Sequence, residues 1–491
     1  MVSASGRIPQ VRRLADVDAV RARFDELGLD LSLDDQIDAG PDAPLAQPWT
    51  VTLAEGRERT VGNRFAVLPM EGWDATTDGR PTDLVVRRWE RFGASGAKLV
   101  WGGEAVAVRA DGRANPNQLC IGPDSVSDLG DLRQRLVATH AERHGRSDDL
   151  VVGLQLTHSG RWSRPDGSPA PRVAYRHPVL DDRVPVDGDS VFTDGELDEL
   201  SEGFVDAAVV AAEAGFDFVD VKACHGYLLH ELLSGVDRDG PYGGGAVEDR
   251  AQFQIRTLAA IRDRVPDLGL GVRLSIYDLA PHEAGPDGVG RPVAIAPYRY
   301  AFGGDGTGAG IDLSEPNILL GLLAGAGVSM VCTTAGSPYH CPHAQRPAYF
   351  PPSDGYLPPT DPLVEVARMI GATATLRSCH PELAFVGSGY SYLQEWLPNV
   401  AQVEVRAGRV DSVGIGRMVL SYPDLPADVV AGRPLDRRRL CRTFSDCTTA
   451  PRNGLVSGCF PLDDHYKAMP ARVELTRIKR EAEAARGGRR R

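Results

Sequence analysis

Three side chains that can donate protons follow a short apolar run near the middle of the sequence. The run 216–221 is typical of a buried strand, and Lys222, His225 and Tyr227 lie in the turn between it and a helical segment. An ammonium, an imidazole and a phenol at the end of one strand are suited to polarising a carbonyl oxygen and transferring a proton. The spacing therefore predicts a catalytic site at this turn.

Apolar runs and amphipathic segments alternate on both sides of this turn. The strand candidates are 64–68, 98–104, 150–156, 216–221, 268–274, 328–333, 383–386 and 413–415. The helix candidates are 81–95, 194–214, 250–264, 313–326 and 362–376. This alternation predicts an α/β fold, a (β/α)8 TIM barrel, which places catalytic groups after the strands. A doubly wound sheet is the competing architecture, but it requires a Gly-rich turn after the first strand, and that turn is missing.

The sequence divides into three predicted parts. Residues 1–50 are predicted to form an N-terminal helical extension and linker, because a charged helical pattern is followed by Pro and Gly punctuation. Residues 51–435 would form the barrel. Residues 436–491 would form a C-terminal extension that contains three cysteines and ends in a short basic tail.

Composition restricts the partners. A formal net charge of −13 and a pI near 5.4 argue against nucleic acid and anionic membrane surfaces. No signal peptide is recognisable, and no window approaches the ~20 apolar residues that cross a bilayer. The eight cysteines are mostly scattered, which is not the pattern of a disulfide framework. We expect a soluble cytoplasmic protein that acts on a small molecule, and the sequence leaves its oligomeric state open, including a homo-oligomer.

Seven motifs, in order along the sequence, resemble the Old Yellow Enzyme family of FMN-dependent oxidoreductases. They are NRFAVLPMEGW, DGRPTD, EAVAVRADGRANPNQ, LQLTHSGR, HGYLLHELLS with PYGGGAVEDRAQF, GVRLS and VGIGRMVLSYPDLP. The resemblance implies FMN across the barrel mouth, with NAD(P)H as electron donor. It further implies hydride transfer between flavin N5 and an activated carbon, most simply reduction of an α,β-unsaturated carbonyl.

The resemblance also assigns contacts to the flavin. Gln155 and Arg273 would lie at the pyrimidine edge, where a donor and a cation favour the reduced, anionic ring. Backbone groups of Pro69, Met70 and Ala105 would line the flavin. The turns after the last two strands would bind the phosphate through Gly387, Ser388, Gly389, Gly416 and Arg417. The structural alternatives are that Arg273 forms a surface ion pair and that the glycines serve only to form turns.

The same comparison assigns catalytic roles. Lys222 and His225 would hold the substrate oxygen, and Tyr227 would protonate the α-carbon. The family uses His with His or Asn as the two donors, so the lysine is a departure; it could stabilise an enolate, act as a neutral base or form a Schiff base. Each residue also has a structural alternative. Lys222 could form an ion pair with Asp220 or Glu104. His225 could be a hydrogen-bonded histidine of the core, and Tyr227 could be a core aromatic ring.

Glu71 is a second departure, because the family usually has a small residue directly after the Pro-Met pair. A carboxylate at this position disfavours a reduced flavin anion unless it is protonated or paired. An ion pair between Glu71 and Lys222 would connect the two departures, and we take this pair as a hypothesis.

The cysteines of the C-terminal extension are a third departure. Cys441, Cys447 and Cys459 resemble remnants of the iron–sulfur motif of the branch that contains 2,4-dienoyl-CoA reductase and trimethylamine dehydrogenase. Thr443 and Phe444 fill the region where another thiolate belongs, and a stable cluster normally needs four. We therefore predict reduced cysteines, with an iron–sulfur cluster and zinc as the alternatives.

His340, Cys341 and His343 are a further set of metal-ligand types. No carboxylate stands close to them in the sequence, and prolines surround them. We predict loop packing or pocket lining for these residues and no metal site.

Two other functions stay open from the sequence. One is flavin-dependent oxidation of an amine or a saturated carbonyl compound, as the trimethylamine dehydrogenase branch implies. The other is a barrel that binds a carbonyl ligand without turnover, in which Glu71 and Lys222 mark lost chemistry.

Overall fold

A computed structural model describes residues 8–293 and 297–488. The strands are β1 (Trp49–Ala54), β2 (Arg57–Val61), β3 (Phe65–Val67), β4 (Leu99–Val100), β5 (Ala105–Ala107), β6 (Val151–Thr157), β7 (Phe218–Val221), β8 (Gly269–Ser275), β9 (His282–Ala284), β10 (Gly290–Pro292), β11 (Met330–Thr334), β12 (Ala384–Gly387) and β13 (Ser412–Ile415). The α-helices are α1 (Val17–Leu27), α2 (Asp83–Gly93), α3 (Val126–His144), α4 (Leu180–Arg183), α5 (Asp194–Glu213), α6 (Leu228–Leu233), α7 (Val247–Arg250), α8 (Gln252–Arg264), α9 (Ser314–Gly325), α10 (Pro342–Gln345), α11 (Pro362–Cys379), α12 (Leu397–Arg406), α13 (Arg417–Ser421), α14 (Leu425–Val430), α15 (Asp446–Arg452), α16 (Asp464–Lys467) and α17 (Ala471–Gly488). Part of the predicted basic tail, residues 489–491, lies outside the described residues.

Eight parallel strands close into a barrel with helices between them. The order around the barrel is β4, β3, β13, β12, β11, β8, β7 and β6, and β6 pairs with β4 to complete the ring. All seven residues of β6 and of β8 are buried, as expected for parallel strands that pack on both faces. The predicted (β/α)8 barrel is confirmed.

The predicted strand 98–104 is two short strands in the structure. β4 and β5 both pair with β6, and the chain turns between them at Gly102 and Gly103. Gly103 has a positive φ of 59°, and a Cβ on Gly102 would lie 2.8 Å from the backbone nitrogen of Gln155. Glycine is required here because the backbone has to pass close to the neighbouring strand. The kink directs the chain after it toward the barrel mouth.

A hairpin formed by β1 and β2 closes the amino-terminal end of the barrel. Its buried side chains alternate with exposed ones along β1, and they pack in one cluster with side chains from the barrel strands. The cluster contains Trp49, Val51, Leu53, Val61, Ala66, Leu68, Leu99, Trp101, Val151, Phe218, Met330, Cys332 and Val386. In the described part of the chain, the amino-terminal part of the barrel interior is therefore a filled apolar core.

The two extensions pack against the barrel. In the predicted N-terminal helical extension the described α-helix is α1, which begins after the capping residue Asp16 and ends at Gly28 in a left-handed conformation. In the C-terminal extension, Thr443 accepts a hydrogen bond from the backbone nitrogen of Tyr349 at 3.2 Å. Within 8–293 and 297–488, no helix is long and apolar enough to cross a membrane.

Candidate active site

A cavity at the carboxyl ends of the barrel strands collects most of the predicted site residues. Those that line it are Pro69, Met70, Gln155, Lys222, His225, Tyr227, Arg273, Ser388, Gly389, Gly416 and Arg417. Ala105 and Gly387 are not in its lining: the carbonyl of Ala105 accepts a hydrogen bond from Gln118, and Gly387 lies inside β12 against Tyr390. Chemically different groups from separate strands therefore share one cavity.

A buried carboxylate fixes the floor of this cavity. Asp220 accepts hydrogen bonds from Gln155 Nε2 at 2.6 Å, from Trp101 Nε1 at 2.7 Å and from the backbone nitrogen of Arg273 at 2.6 Å. Burial raises the pKa of Asp220 to about 6, although the hydrogen bonds from Gln155 and from the Arg273 backbone act in the opposite direction. The network holds the Gln155 amide in one orientation and leaves its second N–H for another acceptor.

Arg273 and His225 stand beside this floor. Arg273 is buried on β8, and its Nε has no hydrogen-bond partner among the described residues. His225 has a left-handed φ of 67°, and its backbone nitrogen donates to Ser275 Oγ at 3.1 Å. Burial lowers the pKa of His225 well below its usual value, and the charges of Arg273 and Lys222 lower it further. The imidazole is therefore neutral at physiological pH.

Glu71 connects the catalytic residues. Its carboxylate lies 3.2 Å from Lys222 Nζ, and it accepts hydrogen bonds from the Tyr227 hydroxyl at 3.0 Å and from Trp73 Nε1 at 3.0 Å. Lys222 Nζ also lies 3.8 Å from the centre of the Tyr227 ring. Burial and the charge of Glu71 raise the pKa of Tyr227 well above its usual value, so the phenol keeps its proton. The structure contains the hypothesised Glu71–Lys222 pair.

The alternative for Lys222 was an ion pair with Asp220 or Glu104, and the described structure contains neither pair. The hydrogen bonds of Asp220 come from the floor network described above. Glu104 forms a buried ion pair with Arg88 and accepts the backbone nitrogen of Gly72 at 3.2 Å. The lysine is therefore held at the cavity by Glu71.

The opposite part of the cavity lining carries unmatched donors. Ser388 Oγ and Arg417 Nη1 are buried without a hydrogen-bond partner in the described structure, and Arg417 Nη2 donates to the carbonyl of Pro347 at 2.7 Å. Arg346 lies close by, and burial together with the charge of Arg417 lowers its pKa to about 10. Neither arginine forms a salt bridge with a described carboxylate. One buried and one half-buried guanidinium group, both without counter-ions among the described residues, indicate a site for an anion.

The sequence analysis did not identify several lining residues. Gln345, the last residue of α10, and Arg346 come from the segment after β11, and Cys447, Thr448 and Arg452 come from the C-terminal extension. The Gln345 amide lies 3.0 Å from His225 Nε2. The local signal was the polar QRP segment at the end of α10, and this segment does not show which way the following loop folds.

The cysteines of the C-terminal extension are divided between the core and the cavity. Cys441 is buried, whereas Cys447 and Cys459 are half-buried, and Cys447 lines the cavity. Burial raises the pKa of both Cys441 and Cys459, so these thiols are protonated. Whether the three bind a metal cluster stays a prediction from the sequence.

A buried trio lies behind the loop after β11. His340 Nε2 lies 3.0 Å from Asp278 Oδ2, and Cys341 Sγ donates to Asp278 Oδ1 at 3.1 Å. Each of the three side chains has one possible metal-ligand atom, and these atoms lie within 4.8 Å of one another. Among the described residues, this is the one group of at least three His, Cys, Asp or Glu side chains that lies so close together. No carboxylate stands close to His340 and Cys341 in the sequence, but the fold brings Asp278 to them from the segment after β8. The absence of a metal at these residues stays a prediction from the sequence.

Known proteins are similar to this chain over the barrel. Residues 53–290 match the NADH:flavin oxidoreductase / NADH oxidase family. An NADPH dehydrogenase of Geobacillus sp. (strain WCH70) is 32% identical over 246 residues, which cover 48% of this chain and 64% of the relative. An NADPH dehydrogenase of Bacillus velezensis is 30% identical over 244 residues, with the same two shares. The match thus spans slightly less than two thirds of these relatives.

Solved structures support the fold. An Old Yellow Enzyme homologue from Zymomonas mobilis superposes with a TM-score of 0.55 and 20% identity, over 80% of this chain and 93% of its own. A 2-naphthoyl-CoA reductase complex gives a TM-score of 0.63 and 18% identity, over 86% of this chain and 57% of its own. At such identities the likeness concerns the fold alone. The family match over residues 53–290, the two relatives and the seven motifs together support an assignment to the NADH:flavin oxidoreductase / NADH oxidase family, the Old Yellow Enzyme family that the motifs resemble.

Proposed function

We propose that this protein is an FMN-dependent oxidoreductase that uses NAD(P)H to reduce the double bond of an α,β-unsaturated carbonyl compound. One observation carries the proposal: a single cavity holds an unmatched buried arginine, an anion site, and a lysine, histidine and tyrosine cluster. Burial of such polar groups without a ligand reduces the stability of the folded protein, and each group matches a part of this reaction. The family match of the barrel supports the same class of chemistry.

The residues of the cavity fit FMN. Ser388 Oγ and Arg417 Nη1 provide unmatched donors for a phosphate, and Arg346, which is hydrogen-bonded to Thr448 and Ser445, adds a second positive charge beside them. Gln155 and Arg273 provide an amide and a cation for the pyrimidine edge of the ring. Bound FMN would supply the hydride carrier that amino acid side chains lack.

The catalytic roles follow from the charge state of each side chain. The ammonium of Lys222 and the neutral imidazole of His225 would stabilise negative charge that develops on the substrate oxygen. Tyr227 holds its proton at the hydroxyl oxygen, since its pKa is raised, and is suited to protonating the α-carbon. Glu71 orients Lys222 and Tyr227 toward the same point.

Absorption and stopped-flow measurements test this proposal. We expect the purified or FMN-reconstituted protein to bind FMN, to be bleached by NADPH without oxygen, and to regain its colour on addition of 2-cyclohexenone. A protein that cannot be loaded with FMN would contradict the proposal and favour a ligand-binding barrel. Bleaching by an amine, with no response to NADPH, would favour amine oxidation instead.

A further inference from the structure

A second cavity shares a wall with the candidate active site. It has a volume of about 970 Å³, within the range of small-molecule sites. Residues that line both cavities are Trp73, Pro338, Tyr339, Pro451 and Arg452. The two cavities therefore adjoin at these residues.

Arginines from separate elements surround the second cavity. Arg164 is exposed, and its side chain makes no hydrogen bond with the described residues. Arg183 donates to the carbonyl of His282 at 3.0 Å, and Arg486 donates to the carbonyl of Ser353 at 3.2 Å. None of the three arginines forms a salt bridge with a carboxylate in the described part of the chain.

Most carboxylates that line the second cavity form ion pairs with arginines other than these three. Asp74 forms a buried ion pair with Arg88 and accepts the backbone nitrogen of Ser457 at 2.6 Å. Asp354 lies 2.9 Å from Arg452. The remaining carboxylate of the lining, Glu283, is exposed. The cavity therefore keeps an excess of positive charge, although the whole chain carries a net charge of −13.

We infer that the second cavity binds the phosphate-bearing tail of a ligand whose reactive end enters the candidate active site. Guanidinium groups bind phosphate through two parallel hydrogen bonds, and Arg164, Arg183 and Arg486 have donors available for this contact. Two nucleotide-linked ligands have this chemistry: a coenzyme A thioester, with a 3′-phosphate, and NADPH, with a 2′-phosphate. The inference rests on the proposed function, because it places the reacting end in the first cavity.

Titration calorimetry on the FMN-loaded protein tests the inference. The probes are adenosine 3′,5′-bisphosphate, adenosine 2′,5′-bisphosphate and uncharged adenosine. We expect at least one bisphosphate to bind more tightly than adenosine. The combined Arg183→Gln and Arg486→Gln variant should bind it about tenfold more weakly, the scale of a lost charge-assisted hydrogen bond. Preference for the 3′ isomer identifies a coenzyme A tail, and preference for the 2′ isomer identifies NADPH.

Controls separate binding from folding. Arg164→Gln disturbs no hydrogen bond of the described structure, so weaker binding in this variant reports a ligand contact. Arg135→Gln removes an exposed arginine of α3 that lines neither cavity, and it should bind like the parent. Arg183→Lys keeps the charge and should recover part of the affinity.

Kinetics provide a second measurement. For a substrate that carries the tail, the arginine variants should raise KM and leave kcat unchanged, because the tail contributes equally to substrate and transition-state binding. The KM for 2-cyclohexenone, which has no tail, should not change. The inference is overturned if both bisphosphates bind no better than adenosine, or if the arginine variants bind them like the parent. Neither calorimetric result depends on turnover, so failure of the proposed function would appear separately, as loss of the flavin reactions.

Discussion

The two ends of the barrel are built from the same strands but differ in how their polar groups are matched. At the amino end, the hairpin inserts Val51 and Leu53 among barrel side chains, and Trp49 Nε1 donates to the carbonyl of Asn63 at 3.1 Å. At the carboxyl end, buried nitrogen and oxygen atoms such as Arg273 Nε have no partner among the described residues. Unmatched buried polar atoms reduce stability, so those of Arg273, Ser388 and Arg417 in the cavity lining mark a surface organised around a ligand.

The largest effect is expected at the carboxyl end, from loss of the proton that Tyr227 holds. Tyr227→Phe should lower kcat for enone reduction by about 10²–10⁴-fold, the range for loss of a general acid. Reduction of the flavin by NADPH should stay near the parent rate, because that half-reaction needs no proton from the phenol. The measurement is stopped-flow kinetics of the two half-reactions.

Tyr339→Phe is the matched control for this substitution. Its hydroxyl lies 3.3 Å from that of Tyr227, so the variant removes a neighbouring phenol from the same wall. It should retain most of the activity. Equal losses of activity in both variants would show that the two hydroxyls serve the packing of the cavity lining, and would contradict the catalytic role of Tyr227.

A substitution in the hairpin at the amino end should lower the stability of the protein and leave ligand binding unchanged. Leu53→Ala deletes a side chain that is 1% exposed, and should lower the free energy of unfolding by about 2–5 kcal/mol. Affinity for FMN at 20 °C should remain within about twofold of the parent, since the hairpin lies at the far end of the barrel. Urea unfolding and flavin fluorescence titration measure the two quantities. A large loss of FMN affinity would mean that the two ends are coupled.

The same contrast explains what could be predicted from sequence. The barrel strands were recognisable because each is an apolar run buried on both faces. The hairpin was missed because β2 is charged and only partly buried, with the sequence RERTV, although β1 shows a clear alternation. A strand that is buried on one face carries a weaker signal than one that is buried on both.

The site was predictable only where its residues stand beside a strand. Lys222, His225 and Tyr227 lie within six positions of one another after β7, so local sequence groups them. Arg346 and Arg452 reach the cavity from a loop and from the C-terminal extension, and tertiary packing alone brings them together. For the same reason the proximity of Asp278 and His340, 62 positions apart, had no sequence signal.

The anion site should account for a measurable part of cofactor affinity. Arg417→Leu removes a guanidinium whose Nη1 has no partner in the described structure, and should weaken FMN binding by about 10–100-fold, or about 1.5–3 kcal/mol. Affinity for riboflavin, which lacks the phosphate, should not change. Arg262→Leu, at an exposed position, is the control. Equal weakening of FMN and riboflavin would place the effect in folding.

The smallest effect tests whether Glu71 acts on the flavin through its charge. Glu71→Gln keeps the shape and a hydrogen-bond acceptor for Tyr227 and Trp73, but it removes the negative charge and leaves Lys222 without its counter-ion. Because an anionic reduced flavin is then opposed by one charge less, the two-electron midpoint potential should rise, by on the order of 30 mV or about 1.4 kcal/mol. Dye-linked spectroscopic titration measures it, with Glu90→Gln as an exposed control. A lower potential would mean that the carboxylate acts mainly by orienting Lys222, since the freed ammonium would then have moved away from the flavin.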